Sequence, residues 1–201
     1  KECKKKNPDL IFHTDAVQAF GKVDVPTSPS AVDLVSVSGH KVSGPKGVGA
    51  LIVLNRKLLQ NGLRPMMWGG EQEGGFRSGT QSAGLIAAFH AAAEHTLNKR
   101  KSFNDHCTKL RARFAEKLKA KSLISDDPLS GRVRWNSPAD AVPYIVSLSI
   151  PGFPSSALAK LLEERNCLVS TGSACSSQKM EPDPVLLAMG LPPHVYSSAV
   201  R

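Results

Sequence analysis

Ser38-Gly39-His40-Lys41-Val42-Ser43-Gly44-Pro45-Lys46-Gly47 is the stretch from which the rest of the chain is read. It follows a mostly apolar run, Val32 to Val37, whose continuous hydrophobicity predicts a buried parallel strand. Glycine and proline then crowd together and predict a tight, irregular loop. Lys41 falls where the strand gives way to that loop. In open α/β sheets, ligands bind beyond the carboxyl ends of strands. Lys41, beside His40 and Ser38, is therefore either a solvated surface lysine or a carbonyl-trapping amine with phosphate donors next to it.

Upstream, Leu10-Ile11-Phe12-His13 predicts a short buried strand that ends at Thr14-Asp15. Ala16 to Phe20 begins a helical turn closed by Gly21. Asp15 thus lies at a strand's carboxyl end, on the same rim as Lys41. It reads either as a helix N-cap or as a carboxylate facing a ligand cation. Residues 1–8 read as a helix end and a turn broken at Asn7-Pro8.

Downstream, Val48–Leu54 is the next strand, and short strands with tight connections predict an α/β sheet. Gly69-Gly70-Glu71-Gln72-Glu73-Gly74-Gly75-Phe76-Arg77-Ser78-Gly79-Thr80 is rich in glycine and charge and reads as a functional loop. From Ser82 the pattern is helical, with Leu85, Ile86 and Phe89 on one face. Phe103, Cys107, Leu110, Phe114 and Leu118 form one apolar stripe. That stripe predicts a core position for Cys107 and a helix that breaks near Lys101-Ser102 or runs to about Lys119.

Residues 125–143 lack periodicity and read as loop. Tyr144–Ile150 alternates as a half-buried strand. A helix follows from Pro154-Ser155 to Arg165, and then a short strand, Cys167-Leu168-Val169, with Cys167 structural. Pro184 to Met189 predicts a short helix stopped by Gly190, and Tyr196–Arg201 an unfinished strand. The composition shifts near residue 120, which divides the chain into 1–119 and a smaller domain, 120–201. In Ser170-Thr171-Gly172-Ser173-Ala174-Cys175-Ser176-Ser177, small residues flank Cys175 and leave its thiol poorly covered. Such a thiol is reactive where nearby charge lowers its pKa, and otherwise an ordinary loop cysteine.

Composition narrows the class. Of 201 residues, 41% are hydrophobic, enough for a real core. No run of apolar residues is long enough for a transmembrane helix, and the charged start, Lys1 to Lys6, is unlike a secretory signal. Four cysteines without a CxxC pair give no zinc spacing, and no metal is expected. Their number fits a reducing compartment, the cytoplasm or an organelle matrix such as the mitochondrial one. The net charge of +9 raises nucleic acid as a partner. The cations are scattered and few aromatics accompany them, which argues against it.

Together the signals describe one chemistry. A lysine amine can condense with an aldehyde to a Schiff base. Pyridoxal phosphate enzymes need that lysine, phosphate donors, and a carboxylate that keeps the pyridine nitrogen protonated. Lys41, Ser38, His40 and Asp15 supply these on neighbouring strand ends, one strand–helix–strand crossover apart.

The chain resembles the cysteine desulfurases, fold type I enzymes of the class V aminotransferase group. The matching motifs are His13-Thr14-Asp15-Ala16-Val17-Gln18, Ser38-Gly39-His40-Lys41 with Gly44-Pro45-Lys46-Gly47, Gly69-Gly70 with Gln72-Glu73 and Arg77-Ser78-Gly79-Thr80, and Ser173-Ala174-Cys175. They occur in the family's order and span nearly the whole chain. The resemblance implies a fold type I large domain, mostly parallel sheet with helices, plus a smaller α+β domain. It implies pyridoxal 5'-phosphate as cofactor, with Lys41 in covalent linkage to it and later moving protons. Asp15 would pair with the pyridine nitrogen, Gln18 would contact the ring hydroxyl, and Ser38 and His40 would bind the phosphate. Thr80 would reach the phosphate of a neighbouring subunit, which implies a homodimer. Arg201 would clamp the substrate carboxylate. Cys175 would take sulfur from L-cysteine, leaving L-alanine and a persulfide destined for iron–sulfur cluster assembly or tRNA thiolation through an acceptor or scaffold protein.

Selenocysteine lyase shares much of this pattern and is the near alternative, with L-selenocysteine as substrate. Glu71 departs from the small residue usual in its glycine run. The family's Gly-Thr phosphate loop, ring-stacking histidine and ring-contacting asparagine, which precede the Asp15 motif, find no match here. The chain therefore reads as truncated at both ends. A further alternative is a catalytically incomplete piece or scaffold of the same fold.

Overall fold

A computed structural model describes residues 2–25, 32–124, 132–172 and 183–201. The described elements mix α and β and divide into two compact units, Lys1–Phe103 and Asn104–Arg201. The helix Ala83–Ala120 contributes residues to both.

In the first unit, α1 (Glu2–Lys6) leads into a three-stranded sheet of β1 (His13–Asp15), β2 (Leu34–Ser38) and β3 (Gly49–Val53), in that order. β1 pairs parallel to β2 with Asp15 opposite Ser36, and β3 pairs antiparallel with Ser38 opposite Gly49. Strand residues alternate faces, so Val35 and Val37 point to one side. There they pack with Ala16 and Val32, against Phe20 and Phe89. Ser36 and Ser38 share the other side with His13 and Asp15. Asp33, at the entrance to β2, is buried. It accepts hydrogen bonds from the Phe12 N–H (2.7 Å) and the Asn55 side chain (2.9 Å) and forms an ion pair with Lys4. One carboxylate thereby ties α1, the start of β1 and the exit of β3 to the sheet.

A short helix, α2 (Leu58–Asn61), follows β3. α3 (Ala83–Ala120) is continuous for 38 residues and passes Lys101-Ser102 without a break. None of its residues is fully buried. Cys107 is therefore half-buried rather than a core residue. The better-covered positions in this stretch are Asn104, Cys107, Arg111, Ala115 and Leu118, while Phe103, Leu110 and Phe114 are exposed. Arg111 fixes this face by donating to the carbonyls of Pro138 and Ala141, 2.8 Å each. Its guanidinium also lies 5.8 Å from the Trp135 ring.

The second unit holds an antiparallel sheet of β4 (Arg134–Trp135), β5 (Leu148–Ser149) and β6 (Ala199–Val200). α4 (Ser155–Glu163), α5 (Pro184–Ala188) and α6 (Pro193–Tyr196) accompany it. Asp183 caps α5 by accepting from the N–H groups of Val185 and Leu186, and Pro184 supplies the first helical residue. Leu186, Leu191, Val195 and Ala199 form this unit's core.

Four expected strands differ in the structure; of Tyr196–Arg201 only Ala199–Val200 is strand, and Tyr196 ends α6. The first ladder forms over His13–Asp15 rather than Leu10–His13. The Asn7-Pro8 turn still holds Leu10, whose N–H bonds to Asn7, and Ile11 and Phe12 are exposed just ahead of the strand. Of Tyr144–Ile150, only Leu148–Ser149 is paired, because β4 and β6 each offer two residues. Cys167–Val169 is not a strand. The Cys167 N–H bonds to the Leu162 carbonyl (2.9 Å) and closes α4, after Asn166 turns the chain at φ 57°. Both Cys167 and Leu168 are exposed, so Cys167 has no core role.

Candidate active site

The candidate site lies at the carboxyl end of β2. The first residues beyond it form a 3-10 turn, Gly39–Val42, rather than irregular loop. The N–H groups of Ser43 and Gly44 both bond to the Gly39 carbonyl. Ser43 takes a left-handed φ of 64°, which reverses the chain toward Pro45. Close approach excludes a side chain at Gly44 and crowds one at Gly39. A Cβ on Gly44 would lie 2.8 Å from the Gly39 oxygen, and one on Gly39 would lie 3.0 Å from Val48 and 3.1 Å from the Pro45 oxygen.

Ser38 Oγ and His40 Nδ1 are 2.8 Å apart, so the two candidate phosphate donors already form a pair. Lys41 is half-buried on the same turn. Asp15 is exposed at the end of the adjacent strand, and its Oδ1 accepts from the Val17 N–H at 2.9 Å. That bond fixes the carboxylate at the start of the turn on which Gln18 is exposed. Asp15 faces Ser36 across the ladder, two residues before Ser38. The fold thus brings Asp15, Ser38, His40 and Lys41 to one rim.

Two further features of the rim are absent from the sequence reading. His13 Nε2 lies 2.7 Å from Ser36 Oγ, on the face shared with Asp15. Lys22, just after the Asp15 turn, is half-buried. Burial holds its ammonium below the usual lysine range, and the positive charge of Lys41 pushes it the same way. Its neighbour Gly21, at a φ of 75°, packs against the Lys41 turn: a Cβ there would lie 3.2 Å from Val42.

Thr80 stands elsewhere in this unit, exposed at the end of the glycine-rich loop. That loop is held by its own bonds. Ser78 Oγ donates to the Gly70 carbonyl (2.6 Å), the Gly79 N–H donates to Gln72 (3.0 Å), and Gln81 donates to Glu73 (3.0 Å). Beside it, Leu51, Leu59, Met67, Phe76 and Ile86 line an open, mostly apolar groove of about 800 Å³, rimmed by Arg64 and Arg77.

In the second unit, Arg201 is exposed. Its backbone exchanges two hydrogen bonds of 2.8 Å with Ser170, and Thr171 bridges Val200. Cys175 lies outside the described residues, as does everything from 173 to 182. No group of three or more His, Cys, Asp or Glu side chains among the described residues is placed to hold a metal ion. No helix among them is long and apolar enough to cross a membrane.

A family model described as Aminotransferase class-V matches residues 1–198. The chain is 36% identical over 202 residues to the cysteine desulfurase IscS of Clostridium botulinum, covering 99% of this chain and 47% of that protein. It is 37% identical over 201 residues to the mitochondrial cysteine desulfurase of Saccharomyces cerevisiae, covering 99% of this chain and 37% of that protein. Among solved structures, a NifS-like protein superposes with a TM-score of 0.78 at 31% identity, covering 98% of this chain and 47% of the other. The chain spans about half the length, or less, of the curated relatives it matches.

Proposed function

The chain belongs to the class-V aminotransferase family, and from that membership we propose that it carries the lysine and the cysteine of a pyridoxal-phosphate-dependent cysteine desulfurase. Its relatives named cysteine desulfurase, similar over the whole of this chain, support the reading. The observation that carries it is the convergence of Asp15, Ser38, His40 and Lys41 on one rim of the first sheet. The set contains an amine, a carboxylate, a hydroxyl and an imidazole. A phosphorylated pyridine aldehyde requires these groups, so the residues present fit the cofactor.

When bound, pyridoxal phosphate supplies an electron-withdrawing ring that weakens bonds at the substrate's reacting carbons. The remaining roles belong to the chain. Lys41 Nζ would hold the cofactor at its aldehyde carbon and would then carry the proton at the substrate Cα. The Asp15 carboxylate keeps a proton on the ring nitrogen, and Gln18 donates toward the ring hydroxyl. Ser38 and His40 orient the phosphate, prealigned by their mutual contact. Arg201 offers a planar, bidentate fork to the substrate carboxylate. Thr80 reaches across to the phosphate of a second subunit in a homodimer.

Cys175 Sγ takes the sulfur of L-cysteine. An S–S bond forms as the substrate C–S bond breaks, so L-cysteine and one thiol become L-alanine and one persulfide with no outside oxidant. The persulfide then passes to a sulfur acceptor or iron–sulfur scaffold protein, in the cytoplasm or an organelle matrix. Within this reading residues 1–119 belong to the large cofactor-binding domain and 120–201 to the small domain with the cysteine loop.

Supplying pyridoxal phosphate and L-cysteine to the chain and to its Cys175→Ser variant tests the reading. We expect L-alanine released in step with sulfur bound at Cys175, and no bound sulfur on the variant. Alanine formed from L-selenocysteine alone would identify a selenocysteine lyase. Cofactor held at Lys41 with no turnover of either substrate would identify a catalytically incomplete piece, a reading favoured by the length the chain shares with its relatives.

A further inference from the structure

The turn that carries Lys41 rests on one face of α3. Leu85, Phe89, Ala92 and Thr96 recur at helical spacing and are all half-buried. Each meets the glycine-rich segment at a different point. Leu85 lies 3.8 Å from where a Cβ on Gly47 would stand, Phe89 lies 3.3 Å from that of Gly39, and Ala92 lies 3.3 Å from that of Gly44. Thr96 would be 2.7 Å from a Cβ on Gly21, where Val42 also closes in at 3.2 Å.

One contact in this series is polar. Thr96 Oγ1 donates to the Val42 carbonyl at 3.1 Å. Val42 ends the 3-10 turn and is almost fully buried. Terminal carbonyls of a helical turn have no partner within it, and a buried carbonyl without one is costly. Ser38, which precedes the turn, makes no side-chain cap. Its hydroxyl is engaged with His40 instead. The far end of the turn is therefore held by a residue fifty-four positions away, on another element.

We propose that Thr96 is a positioning residue for Lys41, holding the 3-10 turn at the orientation that aims the Lys41 amine along the Asp15 and Ser38 rim. The proposal rests on Lys41 as the cofactor-binding lysine. Thr96 touches neither cofactor nor substrate and acts through the Val42 carbonyl. Its neighbours set the fit. Ala92 leaves room for Gly44, and Gly21 leaves room for the Thr96 methyl.

The test compares Thr96→Val, which keeps the shape and removes the hydroxyl, with Thr96→Ser, which keeps the hydroxyl. Amide hydrogen exchange is read in the cofactor-free chain at Ser43 and Gly44, both bonded to the Gly39 carbonyl. We expect exchange about tenfold faster in Thr96→Val and within about twofold of the parent in Thr96→Ser. In a second readout, pyridoxal phosphate is fixed with borohydride and the ratio of label on Lys41 to label on Lys46 is measured. Lys46 lies on the same loop and is exposed. The ratio should fall about tenfold in Thr96→Val and be restored in Thr96→Ser. A merely structural role would change total stability without moving that ratio. Unchanged exchange in Thr96→Val, with circular dichroism showing a folded chain, would overturn the positioning role whatever the labelling shows. Unselective labelling of the parent chain would instead count against Lys41 as the cofactor lysine, and the exchange comparison would still decide the role of Thr96.

Discussion

Ser170 and Arg201 exchange both of their backbone hydrogen bonds, N–H to carbonyl in each direction at 2.8 Å. Ser170 lies just before the segment that contains Cys175, and Arg201 is the candidate clamp for the substrate carboxylate. The pairing uses only main chain, so the guanidinium is not consumed by it. Arg201→Ala should therefore weaken L-cysteine binding by about 10- to 100-fold through loss of a charge-assisted pair, with no change in melting temperature. Arg201→Lys should recover only part of the affinity, because a point charge lacks the planar fork. Isothermal titration with L-cysteine on the cofactor-loaded chain would measure both. A melting temperature that falls with either variant would give the side chain a structural role instead.

Asp33 sets the acid limit of the first unit. Burial alone would raise its pKa. Hydrogen bonds from Lys4, the Phe12 N–H and Asn55, together with the Lys4 charge, outweigh burial and hold it below the ordinary aspartate value of 3.8. A carboxylate depressed in the folded state contributes stability above its unfolded pKa. That contribution is lost as pH falls through the folded value. Unfolding monitored between pH 5 and pH 2 should show a loss in the parent that is much smaller in Asp33→Asn. At neutral pH the variant should be less stable by about 1 to 2 kcal/mol, a loss limited by the solvent access that Lys4 retains. Equal acid sensitivity in both proteins would contradict this account.

Lys22 works in the opposite direction. Its ammonium is held below the usual lysine value of 10.5 by burial and then by Lys41. The unfolded chain therefore binds the proton more readily, and the penalty on the folded state shrinks as pH rises toward that value. Lys22→Met, which keeps the apolar stem and removes the charge, should gain stability relative to the parent at pH 7 compared with pH 10. Chemical denaturation at the two pH values would show it, and a variant destabilised equally at both would refute it.

Gly21 tests the packing under the Lys41 turn. Its φ of 75° is unfavourable for any side chain, and an added Cβ would meet Thr96 at 2.7 Å. Gly21→Ala should cost about 2 kcal/mol. Combining it with Thr96→Ser, which removes the colliding methyl, should recover part of the loss. A double-mutant cycle measures that coupling, and strict additivity would argue against the contact.

The rim of the site was legible in sequence because it depends on local rules. An apolar run giving way to polar residues or glycine predicts a strand end, and Asp15 and Lys41 each fall at one. The 3-10 turn was not legible, because Gly44 closes onto the Gly39 carbonyl while Gly39 itself is crowded by Val48 and by the distant Phe89. Thr96 was invisible for the same reason: Leu85 and Phe89 marked the helix face, but a threonine on that face gives no sign of its partner. The apolar stripe misassigned part of α3 because Arg111, a charged residue, takes a covered position by binding carbonyls. The strand expected over Cys167–Val169 failed where Asn166 and the end of α4 claimed the backbone first.

Every role proposed for the rim depends on Lys41 as the cofactor lysine. Borohydride reduction of the chain with stoichiometric pyridoxal phosphate, followed by peptide mass mapping, tests it most directly. A pyridoxyl group is expected on the Lys41 peptide in clear excess over every other lysine, lost in Lys41→Ala. Label spread over exposed lysines such as Lys46, or held at Lys22 in place of Lys41, would contradict it.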